Sequence, residues 1–393
     1  MSFNFDAITD RRNSNSIKWK LFPEDVLPMW VADMDFPAPP QVVAALHEAV
    51  EHGVFGYEKP SDALLATVAA RMQKLYNWHV EPEMVVAVPG LVSGFNAAAW
   101  AVCQPGDGVL MQPPVYFPFL KVPENVGLTC QIAELACQRQ GSTVSYQVDW
   151  EAFEAAAGSG GVPTRLFLLC NPHNPTGQVY SRADLLRMAE VCQQQDAIIC
   201  SDEIHSELLL SGAEHIPIAT LSPEIAARTI TLVAPSKTFN VAGLFCGFAI
   251  ITDPGLRKRF KQTVERLTFH VASLAQISAQ VAMSGVCDDW LAALNAYLTS
   301  NRDFVAAYVR EHLPGVRVTM PDATYLAWLD CGELVASGKI EGSPQKFFLE
   351  TAKVALNDGA EFGPGGENFV RLNFGCPRAL LEEGLARLKG ALT

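Results

Sequence analysis

The sequence predicts an α/β fold in which a large, mostly parallel sheet precedes a smaller α+β domain. Short apolar runs alternate with amphipathic stretches between residues 85 and 252, a pattern typical of parallel sheets covered by helices on both faces. After about residue 285 the pattern changes to a long helical stretch followed by further strands. The length of 393 residues also exceeds what one hydrophobic core usually spans.

The individual elements follow from this periodicity. Ser181 and Asp184 have the spacing of a capping box, which predicts a helix that begins next to them. Strands of the large domain are expected at 85–88, 108–112, 128–135, 165–170, 197–203, 229–234 and 247–252. In the C-terminal part we expect a long helix from about residue 288, a strand at TYLAWLD, a helix near 344–357, a strand at FVRLNF and a last helix. The predicted domains are a large one at 51–285 and a small one at 286–393, with the segment 1–50 packing on the small one.

Composition narrows the class of protein. The formal net charge is −13, which argues against nucleic acid and anionic membranes as partners. The polar N-terminus does not resemble a signal peptide, and no apolar run approaches the roughly 18 residues of a membrane span. The ten cysteines form no C-x-x-C pair, so no metal is expected and free thiols are the simplest interpretation. We therefore expect a soluble, cytoplasmic protein.

A lysine follows a buried strand in APSKTFNVAGL. Lys237 comes shortly after TITLVA, where the carboxyl ends of strands in open α/β sheets collect ligands. A lysine in such a place can have a lowered pKa and act as an amine nucleophile towards an aldehyde. Taken alone, a surface lysine is the commoner interpretation of such a residue.

An aspartate follows another buried strand in AIICSDEIH. A carboxylate at the depth of Asp202 needs a partner, and a protonated pyridine nitrogen would supply one through a charge-assisted hydrogen bond. Such a proton keeps the ring an electron sink, as carbanion chemistry requires. The alternatives for Asp202 are a helix cap or a structural ion pair. Glu203 and His205 are weaker candidates, either structural or lining a substrate site.

A third motif, NPHNPTG, follows the strand RLFLLC. Asn174 precedes Pro175, which holds it in extended geometry, and its amide could donate to a phenolate-like oxygen. The same string is also a good turn. Three such motifs at three strand ends are far less expected by chance than any one of them.

The turn VPGLVSGFNAA predicts a site for a phosphate group. Backbone N–H groups of Gly90, Leu91 and Val92 stand at a helix start, where the helix dipole favours an anion. Ser236 offers a further donor. Tyr116, in PPVYFPF, is expected either to lay its ring against the bound ligand or to pack in the core.

An arginine interrupts an apolar strand in FVRLNFGCPR. The guanidinium of Arg371 fits a carboxylate bidentately, and an amino-acid substrate provides one. The alternative is an ion pair with a core carboxylate.

These motifs together resemble the fold-type I enzymes that use pyridoxal 5′-phosphate (PLP), the superfamily of aspartate aminotransferase. The resemblance covers nearly the whole chain. Within the superfamily the sequence is most similar to the cystathionine β-lyase branch, the PatB/MalY-type C–S lyases. The phrases that carry this likeness are MWVADMDFPAPP, SDEIHSEL and PSKTFNVAGL.

The resemblance implies a role for each candidate residue. Lys237 would hold PLP as a Schiff base, Asp202 would meet the pyridine nitrogen, and Asn174 would meet the ring hydroxyl oxygen. Tyr116 would stack on the ring, and Arg371 would hold the substrate carboxylate.

The resemblance also implies a homodimer with its active site at the interface. Tyr57, in FGYEKP, would reach the phosphate of the neighbouring subunit. Two positions depart from the aminotransferase pattern, because His205 replaces a cofactor-binding tyrosine and Phe245 replaces a phosphate-binding arginine. The pair Asp322–Ala323 also differs from the E-G of the lyase branch, in the substrate side-chain pocket.

Three functions follow as hypotheses. The leading one is a PLP-dependent β-lyase that cleaves a β-thio amino acid to a thiol, pyruvate and ammonia. The alternative is a class I/II aminotransferase, which shares the first chemical steps. The non-enzymatic alternative is a regulatory or partner-binding protein of the same fold. One regulator type carries an N-terminal DNA-binding domain, for which too few residues precede the core of this chain.

Overall fold

The computed structural model describes residues 3–393. The α-helices are α1 (Ile17–Lys20), α2 (Pro40–His52), α3 (Asp62–Tyr76), α4 (Leu91–Val102), α5 (Val122–Val126), α6 (Trp150–Ala156), α7 (Arg182–Gln194), α8 (Pro223–Ala227), α9 (Pro235–Thr238), α10 (Pro254–Arg266), α11 (Ser273–Met283), α12 (Asp288–His312), α13 (Gly332–Ala336), α14 (Pro344–Phe347) and α15 (Arg378–Leu392). The strands are β1 (Leu27–Pro28), β2 (Val85–Val88), β3 (Gly108–Met111), β4 (Thr129–Ile132), β5 (Ala136–Gln140), β6 (Thr143–Gln147), β7 (Thr164–Cys170), β8 (Ile198–Asp202), β9 (Thr229–Val233), β10 (Gly247–Ile250), β11 (Arg317–Val318), β12 (Leu326–Asp330), β13 (Val354–Ala355), β14 (Asn357–Asp358) and β15 (Phe369–Asn373).

The large sheet has the strand order β2-β10-β9-β8-β7-β3-β4. Its neighbouring strands run parallel except at β10, which is antiparallel to both β2 and β9. The inner strands are almost wholly buried because helices cover the sheet on both faces. This arrangement confirms the predicted α/β fold class, and each predicted strand of the large domain is present within a few residues.

Helix α7 shows how local sequence determines one of these elements. Ser181 Oγ accepts the N–H of Asp184, and the Asp184 side chain accepts the N–H of Ser181. The capping box therefore begins the helix where the sequence predicts.

The second sheet has the strand order β14-β15-β12-β11-β6-β5. Its hairpin of β5 and β6 comes from the middle of the chain, from within the predicted large domain. The short strand β1 pairs with β13, so the N-terminal segment is joined to the C-terminal part of the chain. The predicted domain boundaries themselves stay a prediction.

The helix expected near 344–357 is much shorter than the sequence suggests. Helix α14 ends at Phe347, one wide turn continues over Phe348–Ala352, and Lys353 closes it in the left-handed region at φ 54°. Val354 and the residue after it then extend to pair with β1. Periodicity along the chain carried no information about a partner strand near residue 27.

Over residues 3–393, no helix has both the length and the apolar character needed to cross a membrane. The same residues contain no group of three or more His, Cys, Asp or Glu side chains arranged to hold a metal ion.

Candidate active site

The site lies at the carboxyl ends of three neighbouring strands. In the sheet register Cys170 of β7 stands beside Asp202 of β8, which stands beside Leu232 of β9. Lys237 follows on α9, directly after β9. A cavity of about 430 Å³ opens there, and its lining includes Ala32, Gly90, Leu91, Val92, Ser93, Tyr116, Cys170, Asn174, Asp202, His205, Ser236, Lys237 and Phe245. The parallel sheet thus brings the three strand-end motifs together, as the sequence predicts.

Lys237 carries a free amine whose protonated form is disfavoured. Burial, with a smaller contribution from the charge of Arg371, lowers its pKa to about 8, although Asp33 and Asp202 oppose the shift. Its Nζ donates a hydrogen bond of 2.7 Å to the carbonyl oxygen of Ala32. A lysine with such a pKa is partly neutral near pH 8 and can attack an aldehyde.

Asp202 is a buried carboxyl group that forms no salt bridge in the described chain. It is 4% exposed, and burial raises its pKa to about 7. Its Oδ1 accepts the N–H of Ile204 at 3.1 Å, and no ion pair forms with it within residues 3–393. A protonated ring nitrogen in the cavity would supply the missing positive charge.

The two residues that follow in SDEIH have different surroundings. Glu203 is buried, accepts Ser201 Oγ at 2.9 Å and pairs with His215 Nε2 at 2.8 Å, so its role is structural. His205 lines the cavity, and burial lowers its pKa to about 3, which keeps the imidazole neutral. Its Nδ1 is buried and has no hydrogen-bond partner in the described chain.

The anion cradle is displaced by one residue from its predicted position. Gly90 adopts φ 91°, which favours glycine, but its N–H donates to the carbonyl of Val88 at 2.8 Å and is therefore occupied. The N–H groups of the first turn of α4, at Leu91, Val92 and Ser93, have no intrahelical acceptor and face the helix start.

Few cationic side chains lie near these backbone N–H donors. In the described chain, Lys237 is the only lysine or arginine in the cavity lining, and Phe245 is among the apolar residues there. Ser236 also lines the cavity. A phosphate here would depend on neutral donors and on the helix dipole.

Arg371 is a buried cation that makes no salt bridge within residues 3–393. It is 2% exposed, and its Nη1 and Nη2 donate to the amide oxygens of Asn174 at 3.0 Å and Asn357 at 2.6 Å. Nη2 also reaches the carbonyl of Trp30 at 3.2 Å, while Nε is buried without an acceptor. The geometry therefore disagrees with a core ion pair. Arg371 lies outside the cavity lining, but it binds Asn174, which is part of that lining.

The contact with Arg371 also orients Asn174. A guanidinium has donors only, so the Asn174 oxygen must face it and the amide NH₂ remains free to donate. This is the orientation that donation to a ring oxygen requires.

Of the remaining residues that the sequence singled out, one lines the cavity and three do not. Tyr116 lines the cavity, and burial raises its pKa to about 12, so the phenol stays protonated. Tyr57 is fully exposed and lies outside this subunit's cavity lining. Asp322 and Ala323 also lie outside that lining, and Ala323 is bridged to Leu209 instead.

Two groups in the hydrogen-bond network of Lys237 were not predicted from the sequence. The carbonyl of Ala32 accepts from Lys237 and also from the hydroxyl of Tyr325, at 2.7 Å in each case. Both residues lie in motifs that carry the family resemblance, MWVADMDF and TYLAW, and this resemblance could have drawn attention to them. Neither string indicates that a backbone oxygen is the point of contact.

The fold and the cavity together define a PLP-dependent enzyme: an amine for the aldehyde, a buried carboxyl group for the ring nitrogen, and a helix start for the phosphate. The model of the family "Aminotransferase class I and II" matches residues 24–388. The chain belongs to this family, and PLP is its cofactor.

Named relatives agree with the sequence resemblance, which is confirmed. The chain is 40% identical to cystathionine β-lyase PatB of Bacillus subtilis over 99% of this chain and 100% of the relative. It superposes on the PLP-containing structure of cystalysin from Treponema denticola with a TM-score of 0.92 at 28% identity, covering 100% and 99% of the two chains. A PLP-bound C–S lyase from Staphylococcus hominis gives a TM-score of 0.92 at 29% identity with the same coverage.

The lowered pKa of Lys237 generates a test. Apoenzyme mixed with PLP should form a covalent link to Lys237, visible as yellow absorbance, at a rate that rises with pH and levels off above about 8 rather than above 10.5. The reason is that the neutral amine is the nucleophile. Borohydride reduction and peptide mapping locate the link.

The Lys237→Ala variant should form no such link, whereas Lys121→Ala, which removes a surface lysine, should behave as wild type. A modified lysine at another position, or a midpoint near 10.5, would contradict the assignment.

Proposed function

We propose that this enzyme is a C–S β-lyase that cleaves a β-thio amino acid of the cystathionine type to a thiol, pyruvate and ammonia. The observation that carries the reaction type is the 40% identity to a cystathionine β-lyase over the whole chain. The geometry supports an amino-acid substrate, because the cavity adjoins a buried cation for the carboxylate and an amine for the Cα proton.

Arg371 binds the α-carboxylate of the substrate in this proposal. Its guanidinium is already held by the Asn174 and Asn357 amides and by the Trp30 carbonyl, so it is oriented before the substrate arrives. Burial lowers the pKa of Arg371 to about 10, which reflects the cost of an uncompensated charge. A bound carboxylate removes that cost, so the site selects anionic amino acids over amines.

Lys237 takes the Cα proton at Nζ once the substrate amine has replaced it. A general base works best when its pKa lies near the operating pH, and burial brings the pKa of Lys237 to about 8. The Ala32 carbonyl receives an N–H of this amine and leaves the remaining positions of Nζ for the proton transfer.

Asp202 keeps the proton on the ring nitrogen. Bound PLP supplies an electron sink for the charge that develops at Cα. Asp202 would hold the ring nitrogen through a charge-assisted hydrogen bond, and that cationic neighbour would oppose the rise in pKa that burial imposes on Asp202.

Elimination then needs a leaving group aligned with the charge at Cα. A thiolate of pKa about 8.5 leaves readily from Cβ, and water completes the conversion to pyruvate and ammonia. An aminotransferase must also deliver a proton to the cofactor and store its amino form. His205 and Phe245, which replace the tyrosine and the arginine of that pattern, favour elimination because the cofactor loses two of the transaminase contacts.

The proposal includes a homodimer in which Tyr57 completes the neighbouring subunit's phosphate site. The exposed apolar residues Val92 and Phe245 lie at the cavity, and Val54, Phe55 and Tyr57 are also exposed, which a partner subunit would cover. We place the enzyme in the cytoplasm, which agrees with ten cysteines that are all free thiols, most of them buried.

The reaction type can be tested on purified enzyme. Pyruvate release from L-cystathionine should exceed, per site, the transfer of the amino group from L-alanine to 2-oxoglutarate, because alanine has no leaving group at Cβ. Pyruvate and free thiol are measured together, with Lys237→Ala as the inactive control. A faster alanine reaction would assign the protein to the aminotransferases instead.

The shared site can be tested by mixing inactive subunits. If Tyr57→Phe and Lys237→Ala are each nearly inactive, randomly mixed dimers should regain about one quarter of wild-type activity, since half are heterodimers with one intact site. Each variant reassociated with itself is the control. Absence of recovery, or a monomer in analytical ultracentrifugation, would count against sharing.

A further inference from the structure

The carbonyl oxygen of Ala32 is the meeting point of two side chains. Lys237 Nζ and the Tyr325 hydroxyl each donate to it at 2.7 Å. A carbonyl oxygen has two lone pairs, so these donors use its full capacity. The three residues come from distant parts of the sequence and converge on one atom.

The hydrogen bond from Lys237 Nζ shows that the Ala32 oxygen lies within reach of this amine. In the proposed function, Lys237 removes the Cα proton after the substrate amine has displaced it. The Ala32 oxygen is then an acceptor that the chain itself provides for the base.

Tyr325 acts only as a donor here. It is 1% exposed, and burial raises its pKa well above the usual range, so the hydroxyl keeps its proton. Its ring stands edge-on to His205, with centroids 5.9 Å apart, which limits its rotation. The hydroxyl direction, and with it the position of the Ala32 carbonyl, is thus well defined.

The backbone before Tyr325 is strained. Thr324 is fully buried at φ 76°, an outlier for a β-branched residue. Its N–H donates to the Leu208 carbonyl at 2.9 Å, and its hydroxyl accepts the N–H of Leu326 at 3.1 Å, so the surroundings hold this conformation in place. Backbone strain at Thr324, close to the active site, points to a functional constraint on the residue that it orients, Tyr325.

Other side chains hold the segment around Ala32 but leave its carbonyl alone. Asn373 Nδ2 donates to the carbonyls of Val31 and Asp33, and Asn240 binds Met34. These amides restrain both sides of Ala32. Apart from Lys237, Tyr325 is the side chain that binds the Ala32 oxygen in the described chain.

We propose that Tyr325 is a positioning residue that, through the Ala32 carbonyl, orients the free amine of Lys237 towards the substrate Cα. The inference rests on the role of Lys237 as base in the proposed function. It does not depend on what leaves from Cβ, because proton removal comes first in both elimination and transamination.

The test compares Tyr325→Phe with Tyr146→Phe. Tyr146 is buried in β6 of the second sheet, and its hydroxyl accepts Trp328 Nε1 at 3.0 Å, so the control loses a comparable hydrogen bond away from Lys237. Exchange of the L-alanine Cα proton in D₂O is followed by NMR on the PLP-loaded enzymes. The maximal rate of Cα-proton exchange in Tyr325→Phe should fall about 10- to 100-fold, because the base is misplaced. The L-alanine concentration that gives half of the maximal rate should stay within about twofold, because the carboxylate site is intact.

A second measurement needs no cofactor. In the apoenzyme, amide hydrogen exchange of a peptide covering residues 30–36 should be about fivefold faster in Tyr325→Phe, as expected for one lost hydrogen bond, and unchanged in Tyr146→Phe. Equal amide exchange in the two variants would overturn the inference. So would a Tyr325→Phe variant that needs more L-alanine for half of its maximal Cα-proton exchange rate but keeps that maximal rate.

The two proposals fail separately. If wild type exchanges the Cα proton but releases no pyruvate from L-cystathionine, the lyase function fails and the role of Tyr325 stands when its variant loses exchange. If wild type performs both reactions and Tyr325→Phe matches it, only the positioning role is wrong. A wild type that exchanges no Cα proton would overturn both.

Discussion

Two buried groups of opposite charge, Asp202 and Arg371, form no salt bridge in the described chain, and the rest of the site is arranged around them. Burial raises the pKa of the carboxyl group and lowers that of the guanidinium, which measures how unfavourable each charge is where it stands. Folding alone leaves this cost unrelieved. In the proposed function a cationic ring nitrogen and an anionic substrate would relieve it, and these ligands would also stabilise the native state to which they bind.

Asp202 and Arg371 cannot move to form salt bridges because the backbone is rigid where they lie. Asp202 ends a central strand whose neighbours on both sides are parallel and in register, and Arg371 lies in a buried strand of the second sheet. The N-terminal segment closes the gap between the two sheets. Lys18 and Arg11 fix its Asp35, whose pKa burial would raise but these cations lower. The Ala32 carbonyl that accepts from Lys237 is thereby held on a segment with little regular structure.

Much of the fold and half of the site followed from the sequence because the signals were local. Strands β7, β8 and β9 are continuous apolar runs, and each polar group of the site follows its own strand directly, so adjacency in the sheet brought Asn174, Asp202 and Lys237 together. Arg371 was found for the same reason, as a charge in an apolar strand. The capping box of α7 was equally local.

What the sequence could not supply depends on partners far along the chain. The predicted helix near 344–357 stops early because residue 354 pairs with a strand more than 300 residues before it. The N–H of Gly90 is occupied by Val88, a backbone detail that composition does not record. Tyr325 acts through a carbonyl, and a carbonyl is present at every residue, so no residue type signals it.

We infer that Asp202 serves the ring nitrogen and not the stability of the fold. The direct measurement is Cα-proton exchange by the PLP-loaded Asp202→Asn variant, which keeps the shape of the side chain and removes its charge. The account predicts a yellow, folded protein whose exchange is slower by orders of magnitude, each factor of ten being about 1.36 kcal/mol of barrier. Exchange at a near-wild-type rate in a variant that binds PLP normally would contradict it.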